Sequence, residues 1–280
     1  MNHLSDDTFE VFLSNLHKQN EIDLRNITFI DPFGMVGILE AGRYLDAEGM
    51  RKTLLLPESD DVLRYLERMD FFRYAGRFYN IASGPPELSD KFLRNPQSDV
   101  LLEITPIEKS DDIHFIVGKV KKRAHAILEK HLHYNERAIG GFIVALSEVC
   151  QNIIEHSENT GFVGIQKYRF QKREKNVVKI AVMDLGIGFR ESLSERFSAA
   201  NDLEAIEKAL MFGFSRHRDE GRGHGLAAVR RFIGQWNGKI TIRSGTAMFS
   251  IIPDWAWGKE REKNLTYFPG AQIIIMLPEV

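Results

Sequence analysis

The pattern that most constrains the fold lies between Asn135 and Ser157, where apolar residues recur at spacings of three and four. This is the period of a helix that buries one stripe along its length. A second, polar row borders the stripe, because Glu148, Asn152 and His156 are four residues apart and stand roughly one above another. The sequence predicts either a core helix that aims a carboxylate and an amide into one cleft, or an amphipathic helix whose polar edge faces water. The apolar stripe consists of Phe142, Ile143, Leu146, Val149, Cys150 and Ile153.

Composition limits the classes of protein that the chain can represent. At 280 residues and 43% hydrophobic content it can bury one large or two ordinary cores, and we expect two. A formal net charge of −2 does not favour nucleic acid or an anionic membrane as a partner. The single cysteine, Cys150, excludes an internal disulfide, fits a reducing compartment and is predicted to be buried. The amino terminus lacks a signal-peptide pattern, and no apolar stretch approaches the roughly 20 residues of a membrane span, so we expect a cytoplasmic protein.

The first 80 residues alternate between helix and strand patterns. Strand, helix, strand and helix in this order predict α/β layering with parallel strands. Gly49 is placed to end the second helix. The predicted elements are a helix at 5–20, a strand at 21–30, a turn at 31–34, a helix at 35–48, a strand at 52–56 and a helix at 60–69.

Residues 21–76 resemble the core of a STAS domain, the fold of anti-sigma-factor antagonists. The resemblance rests on a strand that ends in Asp31, a turn with Gly34, a helix, and a further strand and helix. Regulatory phosphorylation in that family uses a hydroxyl just after the aspartate, whereas this chain has Pro32 and Phe33 there. The resemblance implies that residues 1–80 form a regulatory or docking domain without a phosphoacceptor. A generic α/β cap with no separate role is the alternative.

Residues 81–98 read as a linker because they contain Gly84, Pro85, Pro86 and Pro96. A second domain is predicted at 99–280, with the long helix at its centre. Its other predicted elements are strands at 101–107, 162–170, 176–185, 239–243, 248–252 and 272–277, and helices at 113–132, 203–212 and 226–236.

The almost unbroken apolar run VVKIAVMDL indicates a central strand that ends in Asp184. Gly186 and Gly188 follow, and glycine lets the backbone pass close to a ligand without interference from a Cβ. A strand-end aspartate could accept a hydrogen bond from an exocyclic amine, although a plain strand-to-loop turn has the same pattern. The basic residues around the preceding hairpin fit an exposed hairpin tip better than a nucleic-acid patch.

A segment rich in glycine, SRHRDEGRGHGL, precedes the helix that begins at Leu226. Glycines at alternate positions before a helix can present backbone amides and the positive end of the helix to a phosphate. The spacing differs from that of the dinucleotide fingerprint and of the Walker A loop. The alternative interpretation is a mobile surface loop followed by a helix start.

Taken in order, Glu148xxxAsn152, Asp184xGly186xGly188 and the 221–226 segment resemble the ATP-binding domain of the GHKL superfamily. That superfamily includes gyrase, heat-shock chaperone, histidine kinase and mismatch-repair ATPases. The resemblance covers residues 99–280 and implies an α/β sandwich, with a mixed sheet covered by helices on one face.

The resemblance also implies ATP and Mg²⁺ as cofactors and assigns the site. Asn152 would be the magnesium ligand and Asp184 the adenine anchor, with Gly186 and Gly188 bordering the base pocket. Residues 189–223 would form a lid over the phosphates. Its hinge would comprise Gly221, Arg222, Gly223, His224, Gly225 and Leu226. The chain departs from the family at Ala271, which follows Gly270 where threonine is frequent.

Glu148 distinguishes the branches of the superfamily, because sensor histidine kinases usually have asparagine there. Members that hydrolyse ATP or phosphorylate serine have glutamate, which can orient or deprotonate the attacking hydroxyl. Glu148, with His156 eight residues later, most resembles the anti-sigma-factor serine kinases. We therefore expect a regulatory serine/threonine kinase with Glu148 as its catalytic residue, acting on a protein partner such as a STAS-like or sigma-factor-type regulator. The alternatives are a nucleotide-responsive interaction switch without turnover, and an ATPase coupled to formation of a homodimer.

Overall fold

The computed structural model describes residues 1–82, 99–157, 159–170, 175–214 and 225–280. Within these ranges, the amino-terminal segment, residues 1–82, contains a parallel strand pair and a parallel three-stranded sheet. The predicted parallel α/β layering is therefore confirmed for this segment. The pair is β1 (His3–Leu4) with β3 (Phe29–Ile30), and the sheet has the order β2 (Glu21–Asp23), β4 (Thr53–Leu55), β5 (Asn80–Ile81).

Four helices complete the amino-terminal segment: α1 (Phe9–Asn15), α2 (Pro32–Ala47), α3 (Asp60–Arg68) and α4 (Phe71–Phe78). The turn predicted at 31–34 is the first turn of α2, because the Asp31 carboxylate accepts a hydrogen bond from the Gly34 N–H at 2.9 Å and caps the helix. Pro32 suits the first helical position, where no N–H is required. Gly49 follows the helix with φ of +73°, as predicted.

A seven-stranded sheet dominates the second half of the chain, in the order β11-β10-β9-β12-β8-β7-β6. Every neighbouring pair is antiparallel, so the prediction of a mixed sheet is wrong. The reason is that β12 enters between β8 and β9 and runs opposite to both. The strands are β6 (Val100–Ile107), β7 (Gly161–Phe170), β8 (Lys175–Asp184), β9 (Lys239–Gly245), β10 (Ala247–Ile251), β11 (Arg261–Glu262) and β12 (Phe268–Pro278).

One face of this sheet is covered by helices of the second half. Among them α7 contacts both α5 and α10, and a π-helical turn at His125–Glu129 interrupts the single helix predicted at 113–132. The helices are α5 (Ser110–Ala124), α6 (Lys130–Leu132), α7 (Glu136–His156), α8 (Gly188–Ser194), α9 (Asp202–Phe212) and α10 (Leu226–Gln235).

The amino-terminal segment covers the opposite face, where α2 packs along β7 and β8. Sheet residues Val177, Ala181 and Met183 are buried in one hydrophobic cluster with Phe33 and Leu39 of α2. The side chains that alternate with these sheet residues along β8 point into the helical layer. The prediction that helices cover only one face of the sheet is therefore wrong. The apolar run of β8 is apolar in both phases, as expected for a strand that is buried on both sides.

Helix α7 is the central helix that the apolar stripe predicted. Its residues Glu136–Glu155 are long and apolar enough to cross a membrane by length and composition, contrary to the expectation from sequence. However, Phe142, Leu146 and Val149 are completely buried in the protein core, as in the core helix of a globular domain. Cys150 is also fully buried, as predicted, and burial raises the pKa of its thiol to about 12.

Candidate functional site

The polar row on α7 provides one wall of the candidate site. Asn135 caps the helix by accepting a hydrogen bond from the Ala138 N–H at 2.9 Å. The uninterrupted helix then places Glu148 and Asn152 one turn apart, and both side chains are partly buried. The Asn152 Nδ2 atom is buried and has no hydrogen-bond partner among the residues that the structure describes. Since an unsatisfied buried polar atom costs about 1–3 kcal/mol, this amide is suited to a ligand.

The end of β8 provides the second wall. Asp184 is 5% exposed and lies in the same phase of the strand as Ile180 and Val182, which face the layer that contains α7. Its carboxylate accepts a hydrogen bond from the Gly186 N–H at 2.8 Å and another from the Ala271 N–H. Burial raises the pKa of Asp184 to about 7, although these donors partly oppose the shift.

The loop that follows Asp184 packs against the carboxyl end of α7. The Ile187 N–H donates to the Ser157 carbonyl oxygen at 3.0 Å, and Gly161 pairs with Asp184 across β7 and β8. A Cβ at Gly186 would overlap the same Ser157 carbonyl group. The structure thus brings the strand-end loop to the end of the helix that carries Asn152.

Two glycines adopt backbone angles that favour glycine over other residues. Gly188 has φ of +73°, and a Cβ there would lie 2.8 Å from the Ser244 Oγ atom. Gly270 has φ of +74°, and a Cβ there would overlap the Asp184 carbonyl oxygen. Gly270 and Ala271 therefore support Asp184 through their backbone, a role that does not require the threonine expected after Gly270.

The predicted hinge is described in part. Gly221, Arg222, Gly223 and His224 lie outside the described residues, as does the side chain of His156. Gly225 has φ of +50° and precedes α10, where Leu226 is 7% exposed and packs in the core. Within the predicted lid, the structure describes α8 and α9, and α9 ends at Gly213 with φ of +70°.

Two charged residues of α2 reach this site and were missed by the sequence analysis. The Arg43 guanidinium donates to the Thr160 hydroxyl and to the Thr160 carbonyl oxygen, each at 2.8 Å. Its Nε atom lies 3.2 Å from the Glu40 carboxylate, which is fully buried. Burial raises the pKa of Glu40 to about 8, and the nearby Asp184 contributes to the increase. A glutamate and an arginine three residues apart within the apolar stretch GMVGILEAGR were the available signal.

The layered fold carries a buried amide nitrogen on α7 and a strand-end aspartate followed by a glycine-containing loop, an arrangement that suits the binding of a nucleotide. Residues 140–278 match the model of the family described as "Histidine kinase-, DNA gyrase B-, and HSP90-like ATPase". This part of the chain is therefore an ATPase domain of the GHKL superfamily, whose members bind ATP, usually with Mg²⁺. No curated protein matches the chain. The match confirms the superfamily resemblance for residues 140–278, whereas the domain bounds of 99–280, the STAS-like resemblance and the kinase subtype stay predictions.

The residues at the site fit a magnesium ion that is shared with phosphate. In the described part of the chain, no group of three or more histidine, cysteine or acidic residues could hold a metal ion. Mg²⁺ typically takes one or two protein oxygens and completes its shell with water and phosphate oxygens. Rotation of the Asn152 amide by 180° exchanges its oxygen and nitrogen, so this buried position can present the oxygen that the ion requires.

Proposed function

We propose that this protein binds ATP with magnesium and transfers the γ-phosphoryl group to a serine or threonine of a separate protein, as anti-sigma-factor kinases do. The observation that carries the proposal is on α7, where the buried Asn152 Nδ2 atom has no hydrogen-bond partner among the described residues and the Glu148 carboxylate lies one turn before it. The family match supports ATP as the nucleotide.

In the proposed complex, Asp184 accepts a hydrogen bond from the exocyclic amine of adenine. Its burial favours this role, because a hydrogen bond is stronger where water is excluded. Asn152 would hold the magnesium ion, which would supply positive charge next to the phosphate oxygens. The amino terminus of α10, which begins at Leu226, offers backbone N–H groups and the positive end of a helix to the phosphates.

The proposed catalytic role of Glu148 is that of a general base. The hydroxyl oxygen of the partner forms a bond to the γ-phosphorus while the bond from phosphorus to the β–γ bridging oxygen breaks. The bridging oxygen keeps the electron pair and leaves as part of ADP. Glu148 accepts the hydroxyl proton, a contribution that is typically worth about 10²–10⁴ in rate.

The proposed substrate is another protein, such as a STAS-like or sigma-factor-type regulator. Pro32 and Phe33 follow the strand-end Asp31, so this chain has no hydroxyl at those positions, and Phe33 is 3% exposed. A phosphoacceptor supplied by a partner is consistent with both observations. The amino-terminal segment would then serve in docking or regulation.

The test is phosphoryl transfer from labelled ATP to candidate partners, with Glu148→Gln beside the wild type. We expect transfer to fall at least about 10²-fold while ATP affinity is preserved. Glu136→Gln, at the opposite end of α7, is the matched control and should leave transfer unchanged. Undiminished transfer by Glu148→Gln would remove the assigned role.

The same experiment separates the alternatives. Tight ATP binding without transfer or phosphate release would identify a nucleotide-responsive interaction switch. A rate of phosphate release per protein molecule that increases with protein concentration would instead identify an ATPase coupled to dimerisation.

A further inference from the structure

We propose that Arg43, on the amino-terminal helix α2, is a positioning residue for the nucleotide site and couples the amino-terminal segment to recognition of adenine. This inference rests on the proposed ATP site and adds a means by which the site is controlled. Arg43 is not expected to touch the nucleotide. Its effect would be transmitted through the backbone that holds Asp184.

Arg43 binds the connection between α7 and β7 with a rigid, forked group. Its guanidinium donates at 2.8 Å to both oxygens of Thr160, the hydroxyl and the carbonyl, and at 3.4 Å to the Asn159 Oδ1 atom. Its side chain is 17% exposed, and the Nε atom faces the buried Glu40. A planar guanidinium with several bonds fixes orientation in a way that a lysine ammonium does not.

The connection is joined in turn to the Asp184 loop. Thr160 is followed by Gly161, which pairs directly with Asp184 in the sheet. The Asn159 side-chain amide donates to the Leu185 carbonyl oxygen at 3.2 Å, on the other side of the same loop. One guanidinium on α2 therefore stabilises the backbone on both sides of Asp184.

The charge of Arg43 acts in the same direction as its hydrogen bonds. Burial raises the pKa of Asp184 to about 7, whereas the positive charge of Arg43 lowers it and favours the ionised form. An ionised carboxylate is the better acceptor for an amine hydrogen bond. Removal of Arg43 would therefore loosen Asp184 and also make the carboxylate harder to ionise.

Because α2 packs along β7 and β8, a shift of the amino-terminal segment on the sheet would move Arg43 relative to Thr160. Coupling between two sites is reciprocal in free energy. ATP binding should then strengthen the docking of α2, and a partner that displaces α2 should weaken ATP binding.

The test compares two nucleotides in wild type and Arg43→Gln by calorimetry with magnesium present. The nucleotides are ATP and purine riboside triphosphate, which has hydrogen in place of the exocyclic amine. We expect Arg43→Gln to weaken ATP binding about tenfold, since a charge-assisted network is lost. Affinity for purine riboside triphosphate should change less than about twofold, because its base gives Asp184 no amine to accept from.

Two further variants make the comparison specific. Arg51→Gln is the matched control, because Arg51 is also in the amino-terminal segment but donates to the Gly76 carbonyl oxygen at 2.9 Å; it should leave both affinities unchanged. Thr160→Val removes one acceptor of Arg43 and should weaken ATP binding about threefold. In the double variant the loss should be no greater than in Arg43→Gln, because the two residues act through one contact.

Loss of ATP preference in Arg43→Gln supports the inference. An equal loss for both nucleotides would overturn it, since a general structural defect predicts that result. If wild type binds ATP and Arg43→Gln keeps the wild-type ratio of affinities for the two nucleotides, the inference is overturned and the proposed function stands. Wild-type protein that binds neither nucleotide would overturn both. If Arg43→Gln does not fold, the selective loss in Thr160→Val decides the question.

Discussion

The Lys179 ammonium lies 2.8 Å from the Asp31 carboxylate, and both side chains are buried. Lys179 belongs to β8 and Asp31 caps α2, so the pair joins the central sheet to the amino-terminal segment. Asp6 extends the network, because its carboxylate lies 3.5 Å from Lys179 and 3.1 Å from Lys239. Since buried charges are tolerated when they are paired, this network favours one placement of the segment on the sheet.

The first prediction concerns this network. Lys179→Met would leave Asp31 and Asp6 with less compensation in a buried site, and we expect a loss of about 3–5 kcal/mol in the free energy of unfolding. Urea titration measures the loss. Lys175→Met, at the exposed start of the same strand, is the control and should cost less than about 0.5 kcal/mol. A loss below about 1 kcal/mol in Lys179→Met would show that the network contributes little to stability.

The second prediction is a fall in stability with rising pH. Burial raises the pKa of Glu40 from its ordinary 4.5 to about 8, so the folded state holds a proton that the unfolded state releases. This contribution is complete below about pH 4.5 and is lost as pH rises through about 8. Asp184, with its pKa raised to about 7, acts in the same direction.

Urea midpoints measured across this pH range check the second prediction. Glu40→Gln should flatten the dependence, because its side chain stays neutral, while exposed Glu48→Gln should leave the dependence as in wild type. A wild-type stability that does not change between about pH 5 and 8 would contradict the raised pKa of Glu40 in the folded protein.

The third prediction is that ATP binding releases a proton below neutral pH. The pKa of Asp184 is raised to about 7, mainly by burial, whereas the ionised carboxylate is the stronger acceptor for the adenine amine. Apparent ATP affinity should therefore increase up to about tenfold between pH 6 and pH 8. Calorimetry in two buffers with different ionisation enthalpies counts the released protons. Asp184→Asn should bind ATP weakly and release none, and equal release by this variant would exclude Asp184 as the source.

The fourth prediction separates two glycines. Gly270→Ala should destabilise the protein by more than about 2 kcal/mol, since φ is +74° and the added Cβ would overlap the Asp184 carbonyl oxygen. Gly140→Ala is the control, because Gly140 is exposed on α7 and its Cβ would meet nothing within 4 Å. That change should stabilise the protein by about 0.5–1 kcal/mol. Thermal melts compare the two, and similar melting temperatures would contradict the backbone role of Gly270.

The fifth prediction concerns Glu103, which is fully buried and contacts Arg68 at 2.7 Å, Lys119 at 2.8 Å and Arg123 at 3.0 Å. Burial by itself would raise the pKa of Glu103, but the hydrogen bonds from these cations outweigh it and hold the pKa well below the ordinary value. Its stabilisation is therefore present above about pH 4.5 and is lost as pH falls.

Glu103→Gln should cost about 3–5 kcal/mol at neutral pH, measured by urea titration, and less in acid. The control is Asp99→Asn, which removes an ion pair to Lys167 from a side chain that is 55% exposed, and it should cost less than about 1 kcal/mol. Equal losses in the two variants would contradict the view that burial makes the Glu103 cluster important.

Much of the second half could be predicted because its signals are local. The stripe on α7, the apolar run of β8 and the order of Glu148, Asn152 and Asp184 along the chain can all be read within short windows. They were sufficient for the long helix, for the central strand and for the superfamily that the family match confirms.

The contacts that escaped prediction join residues far apart in sequence. Arg43 and Thr160 are separated by 117 positions, and no local pattern marks them as partners. The second covered face of the sheet was missed although β8 is apolar in both phases, because periodicity shows that a face is buried and not what covers it. The antiparallel order was missed because β12 comes last in the chain yet enters the middle of the sheet.

Because α2 covers one face of the sheet, the protein cannot be truncated freely. A fragment that starts at Asp99 would expose Val177, Ala181, Met183 and Ile274 to solvent, since these residues are now buried beside the amino-terminal segment. Such an exposed apolar surface would promote aggregation of the truncated protein. Neither the second half of the chain nor the amino-terminal segment can therefore be replaced independently. A fusion protein that replaces one of them must also redesign the surface that the other buries against it.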